Sequence, residues 1–144
     1  MHYSLTTATP ARLLAAIMQR FLGDDSLISL EGALAGSRVA RLEGCGTGET
    51  AELRRNTLAP PLDFLVAPLS GRNAALINRA VAEEDLVSET GGLIHVQIAS
   101  GGELVFGAYD NFHPNCVFVE GISASELATM KDDNLLSAFN ARDA

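Results

Sequence analysis

Residues able to do chemistry are concentrated in one stretch, Phe106 to Cys116, which reads FGAYDNFHPNC. It holds three large aromatics, an acid, two amides, a histidine and a thiol within eleven positions. Tyr109, Asp110, Asn111 and His113 suit a recognition loop, because aromatics supply contact area at small entropic cost and polar neighbours orient a ligand. The same residues also suit a loop that anchors itself. In that form Asp110 or Asn111 makes a turn, Phe112 plugs the core and His113 is hydrogen-bonded ahead of Pro114.

Three further chemistries are conceivable for this stretch and its neighbours. Asp110, His113 and Cys116 are three apart, with His95 as a conceivable fourth zinc ligand, but Pro114 rules out the helix on which that spacing would put them on one face. No metal site is therefore expected. A nucleophilic thiol at Cys45 or Cys116 needs a histidine beside it, itself oriented by an acid or amide, and His95, His113 and Asp110 are available for that. Cys116, however, opens an apolar strand, where an inert buried thiol is the ordinary outcome. The glycine-rich Gly44–Thr50 segment lacks both the lysine of a phosphate-binding loop and the glycine spacing of a dinucleotide site, so no cofactor is expected. Arg54 and Arg55, just beyond it, form a pair able to hold an anion.

The whole-chain balance limits what such a site can serve. A formal net charge of −8 argues against nucleic acid, whose phosphates call for clustered Lys and Arg. The acids from Glu83 onward are countered only by Lys131 and Arg142, whereas acids and bases nearly balance before that point. An electrostatic partner of the C-terminal half is therefore cationic. Two cysteines, well separated, do not make the staple of a secreted disulfide domain. That usage and the lack of any apolar run long enough for a membrane span lead to the expectation of a cytoplasmic protein off the membrane.

The elements that must position these residues follow from periodicity. With 144 residues, 47% of them hydrophobic and 19% charged, the chain is expected to be one folded domain over residues 1–144. Leu13, Leu14, Ile17, Met18 and Phe21 mark a first helix that starts at Thr9–Pro10 and stops at Gly23. Ser26–Glu31 and Arg38–Glu43 are expected to form a hairpin, and Glu49–Asn56 a short helix. Leu62–Leu69, nearly all apolar, is read as a central strand buried on both faces, with Pro68 at its end. A second helix covers Asn73–Val87. Alternation then predicts a hairpin of Ile94, Val96 and Ile98 with Leu104, Phe106 and Ala108. Its register pairs Ile98 with Leu104 and Val96 with Phe106, with a loop over Ala99–Glu103 and His95 facing Gly107. A strand at Cys116–Glu120 and a terminal helix capped by Ser123 and Glu126, with Leu127, Met130, Leu135, Leu136 and Phe139 as its stripe and Asp132, Asp133 and Asn134 as a point where it can break in two, complete the chain.

The expected fold is thus α+β, a mainly antiparallel sheet of about six strands with helices on one face. The expected function is a small acidic interaction protein, of the inhibitor or immunity type, that binds a basic partner protein through Tyr109, Asp110, Asn111 and His113 with His95, Arg54 and Arg55. The alternative is a hydrolase or transferase built on His95, His113, Asp110 and Cys116, with the arginines holding an anionic group.

Overall fold

The computed structural model describes residues 2–142. Seven strands form a single antiparallel sheet: β1 (His2–Thr6), β2 (Ser26–Gly32), β3 (Asp63–Pro68), β4 (Leu93–Ser100), β5 (Glu103–Ala108), β6 (Val117–Glu120) and β7 (Ala138–Arg142), in the spatial order β3-β2-β4-β5-β6-β1-β7. Three α-helices, α1 (Pro10–Phe21), α2 (Gly71–Glu84) and α3 (Ala124–Asp132), are described. The α+β expectation holds, with one strand more than the six expected. β3 and β4 both lie antiparallel to β2, so they run parallel to one another, and α2 carries the chain between them past β2. α3 does the same between β6 and β7, past β1.

The main core lies between the helices and one sheet face, the inner face. Leu13, Leu14, Ile17 and Met18 of α1, Ile77 and Ala80 of α2 and Leu127 of α3 join Leu5, Ile28, Leu30, Val96, Ile98 and Phe106 in one buried cluster. α1 begins where Thr9 and Pro10 place it, although Thr9 does not cap it; its hydroxyl donates to the carbonyl of Asn134 instead. α2 is capped by Ser70 and α3 by Ser123, whose hydroxyl accepts the amide of Glu126 as the capping spacing requires.

Several elements differ from the expectation, each for a local reason. Arg38–Arg41 is a 3-10 turn, not a strand; Val39 and Leu42, three apart, are both buried, which a period of two cannot achieve. The expected first hairpin is absent, because β2 pairs with β3 and β4 on its two sides. Glu49–Asn56 is not helical. Thr50 and Leu53 close a tight turn, and the amides of Asn56 and Thr57 bond to the Glu31 carboxylate rather than to a helix ladder.

β3 is an edge strand, not a central one. It is apolar on both sides because helices cover one face, while the segment Thr47–Leu62, here called the strap, crosses the other and buries Leu53 against Phe64, Val66 and Ala99. The C-terminal segment is not one helix. Asn134 takes a left-handed conformation, φ 62°, and the amides of Asn134 and Leu135 bond back to Lys131 and Met130 at 3.0 and 2.9 Å, ending α3 in a Schellman motif. The freed chain turns and pairs along β1 as β7.

The β4–β5 hairpin forms, but in another register. Gly101 and Gly102, with φ 60° and 80°, make a two-residue turn closed by Ser100 and Glu103, tighter than the five-residue loop expected. Ile98 then faces Phe106 and Val96 faces Ala108, while a bulge puts Leu104 opposite Ala99. Ile98 therefore lies on the inner face and Leu104, 38% exposed, on the outer one. A second bulge, in β4, displaces Ile94 and gives its core position to Leu93. Alternation alone cannot register an inserted residue, which shifts every side chain before it to the other face.

Candidate functional site

The outer sheet face is divided in two. Over β3, β2 and β4 the strap closes it around a buried carboxylate. Glu31, 1% exposed, accepts from the amides of Asn56 and Thr57, each at 2.9 Å, and from the Thr57 hydroxyl at 2.5 Å. Burial pushes the Glu31 carboxyl toward the neutral form, but the bonds from Thr57 and Asn56 together outweigh it and hold the group below its ordinary range. Next to it Gln97 donates to Ser29 Oγ at 3.1 Å and to the carbonyl of Arg54 at 2.8 Å, and accepts from Tyr109 Oη at 3.3 Å.

Tyr109 lies at the boundary of the two halves. Its ring folds back over Gly107, where an added Cβ would come within 2.6 Å of Oη, so this side chain position requires glycine beneath it. Gly107 is thus opposite Gln97, not His95, and the open platform expected beside His95 is occupied by tyrosine. Burial, and secondarily the charge of Glu31, raise the Tyr109 phenol above its ordinary pKa.

The loop after β5 is held by its backbone. Asp110, Asn111 and Phe112 have φ of 55°, 56° and 60°, three consecutive non-glycine residues in the left-handed region. Each costs about 1–2 kcal/mol relative to a right-handed conformation. What offsets this is visible: Phe112 is buried against Phe106 at 6.4 Å between ring centroids, and Asn111 reaches the carbonyls of Ile94 and Leu93 at 2.9 and 3.1 Å through its backbone and side-chain amides. Tyr109 and Cys116 close the loop with a 2.9 Å bond. The self-anchoring form read from the sequence is therefore present at Asn111 and Phe112.

The remaining expected site residues separate into two groups. His95 is in the loop cluster; its Nδ1 accepts the Asp110 amide at 3.1 Å and its ring centroid lies 5.7 Å from that of Tyr109. His113 is exposed, its Nδ1 accepting the Asn115 amide at 3.4 Å, and with Asp110 it borders a groove also lined by Thr7, Pro10 and Glu89. Arg54 and Arg55 lie on the strap and serve its structure. Arg54 pairs with Glu49 at 3.2 Å, and Arg55 donates to the carbonyl of Leu62 at 2.7 Å and stacks over Phe64.

Among the described residues no hydrogen bond joins either thiol to His95 or His113, although the Cys116 amide donates to the His113 carbonyl at 2.8 Å, and burial raises the Cys45 thiol above its ordinary pKa. No group of three or more His, Cys, Asp and Glu is placed to hold a metal ion among the described residues. Every buried side-chain nitrogen or oxygen described has a partner, so the Glu31–Gln97–Tyr109 cluster is satisfied within the chain.

Beyond Tyr109 the outer face is uncovered. Leu104, Gly107, Phe118 and His2 surround a shallow hollow of about 90 Å³ whose other walls are sheet residues and Tyr109. Phe118 is flanked by Arg142, 4.5 Å above its ring, and by His2 at 5.9 Å, and His2 pairs with Glu120 at 3.3 Å. Sequence reasoning missed Phe118, Leu104 and His2, because their shared face depends on the register of four strands. Glu31 and Gln97 carried a legible signal, a polar residue inside an apolar strand. No protein-family model, curated protein or solved structure matches the chain.

Proposed function

We propose that this chain is a small acidic binding protein, of the inhibitor or immunity type, that docks the uncovered half of its outer sheet face onto a cationic protein surface. One observation carries the reading: the strap closes one half of that face and leaves Tyr109, Phe118 and Leu104 together on the other. Aromatic side chains fixed on a strand lose little freedom on binding and are favoured anchors.

The charge around the patch supports a cationic partner. Glu120 lines it, and Glu103 and Asp110 adjoin Leu104 and Tyr109 in the chain, whereas its cations, Arg142 and His2, are engaged with Phe118 and Glu120. With a formal charge of −8 on the chain, association with a basic surface is accelerated at low salt and slowed by screening.

The test is affinity capture with the wild-type chain, Phe118→Ala, Tyr109→Ala and an α2 control, Arg79→Ala. Wild type and control should retain the same basic protein and release it as salt rises. Phe118→Ala and Tyr109→Ala should each weaken that binding by about 1 kcal/mol or more. Retention of the partner by Phe118→Ala and Tyr109→Ala at wild-type strength would overturn the assignment of this face.

A further inference from the structure

At the first of the three left-handed residues, the Asp110 carbonyl accepts from the His113 amide at 3.2 Å, which leaves that residue's own amide to be satisfied from outside the loop. Asn111 and Phe112 are fastened by carbonyl partners and by burial, but the Asp110 amide bonds only to the Nδ1 atom of His95. At the other end of the loop the Asn115 amide likewise turns to an imidazole nitrogen, Nδ1 of His113. A neutral imidazole accepts at one nitrogen, and an imidazolium donates at both. Both contacts therefore exist only while the two rings are uncharged.

We infer that His95 and His113 form a pH-sensitive clip that fastens the two ends of the loop, at the Asp110 and Asn115 amides, at neutral pH and frees those ends when the rings are protonated. This rests on the binding reading only for its consequence, which is that the docking face changes shape at its Tyr109 border.

The groups around each ring are compatible with that direction. His95 is faced by Glu31 across β2, by the Tyr109 ring and by Asp110; His113 shares its groove with Asp110 and Glu89. Each Nδ1 faces a backbone amide, which a protonated ring would meet N–H against N–H. A conformation that needs the free base loses population as pH falls. The strain in the Asp110 backbone then acts in the same direction, since freeing that end relieves it. His2, the remaining histidine, pairs with Glu120 beside Phe118, away from both amides.

The experiment is amide exchange by NMR on the purified chain at pH 7.5 and 5.0, with intrinsic rates divided out. If only the uncharged ring accepts the amide, protection of the Asp110 amide should fall by roughly tenfold between the two pH values. Asn115 should follow in the same direction, and Val96 in β4 should not change. Asparagine presents an acceptor oxygen close to the Nδ1 position and does not titrate. His95→Asn should therefore keep Asp110 protected at both pH values, and His113→Asn should do so for Asn115. Equal wild-type protection at the two pH values overturns the inference, as does a pH response that persists at Asp110 in His95→Asn. Neither measurement involves a partner, so a failure here is distinct from a failure of the docking face.

Discussion

Replacing Glu31 by glutamine removes one charge and little volume, and it should loosen the strap from the sheet. The carboxylate receives close bonds from the Asn56 amide, the Thr57 amide and the Thr57 hydroxyl, at 2.9, 2.9 and 2.5 Å. A hydrogen bond to a charged group contributes about 1.5–3 kcal/mol against about 1 for a neutral one. Glutamine keeps one acceptor oxygen and turns its amide group toward donors at the other. Weakening of all three bonds and the loss of at least one give an expected cost of about 3 kcal/mol. For a chain of this size that lowers the thermal midpoint by about 10 °C.

The assay is denaturant unfolding of wild type, Glu31→Gln, Thr57→Val and the double variant at pH 7. The cycle should return a coupling of at least about 1 kcal/mol between Glu31 and Thr57. The pH dependence supplies a second check. The folded carboxyl is held below its unfolded value, so its contribution is complete above the ordinary carboxylate pKa of about 4.3 and is lost as pH falls through the lower folded value. The gap between wild type and Glu31→Gln should therefore be constant near neutrality and narrow only in that acid range. A coupling indistinguishable from zero, or a gap that narrows between pH 8 and 6, would refute the role given to this carboxylate.

Two further variants probe the border between the closed and open halves. Phe112→Ala should cost about 3–5 kcal/mol in denaturant unfolding, because it empties a buried phenyl site and removes what offsets three left-handed residues. Gly107→Ala should displace the Tyr109 ring, whose Oη would otherwise lie 2.6 Å from the new Cβ, breaking its bond to Gln97 at a cost of about 1–2 kcal/mol. Tyrosine fluorescence should report the move, and an unchanged spectrum with unchanged stability would show that the ring does not need the glycine.

The sequence by itself determined the α+β class, the two principal helices, the Ser123 cap, the strand before it and the existence of the β4–β5 hairpin. Each depends on residues a few positions apart: a stripe at i, i+3, i+4 around Leu13–Phe21, the alternation around Val96, and Ser123 three before Glu126. It also singled out Phe106–Cys116 and named Phe112 as a possible plug, since aromatic and turn-forming residues are recognisable by type.

Tertiary structure decided the rest. Whether Leu62–Leu69 is central or an edge was not legible, because covering by the strap makes an edge strand as apolar as an interior one. A break at Asp132–Asn134 was legible in composition, but not the strand beyond it; Asn134 in the left-handed region ends α3, and β1 offers an unpaired side to the residues that follow. Two bulges moved Leu104 outward and Leu93 inward, which periodicity cannot anticipate. The candidate face itself, with Tyr109 beside Phe118, Leu104 and His2, brings together residues from opposite ends of the chain. Its assembly is fixed by strand order and register, and those are set by long-range backbone pairing, a property of the whole sheet and of no single segment.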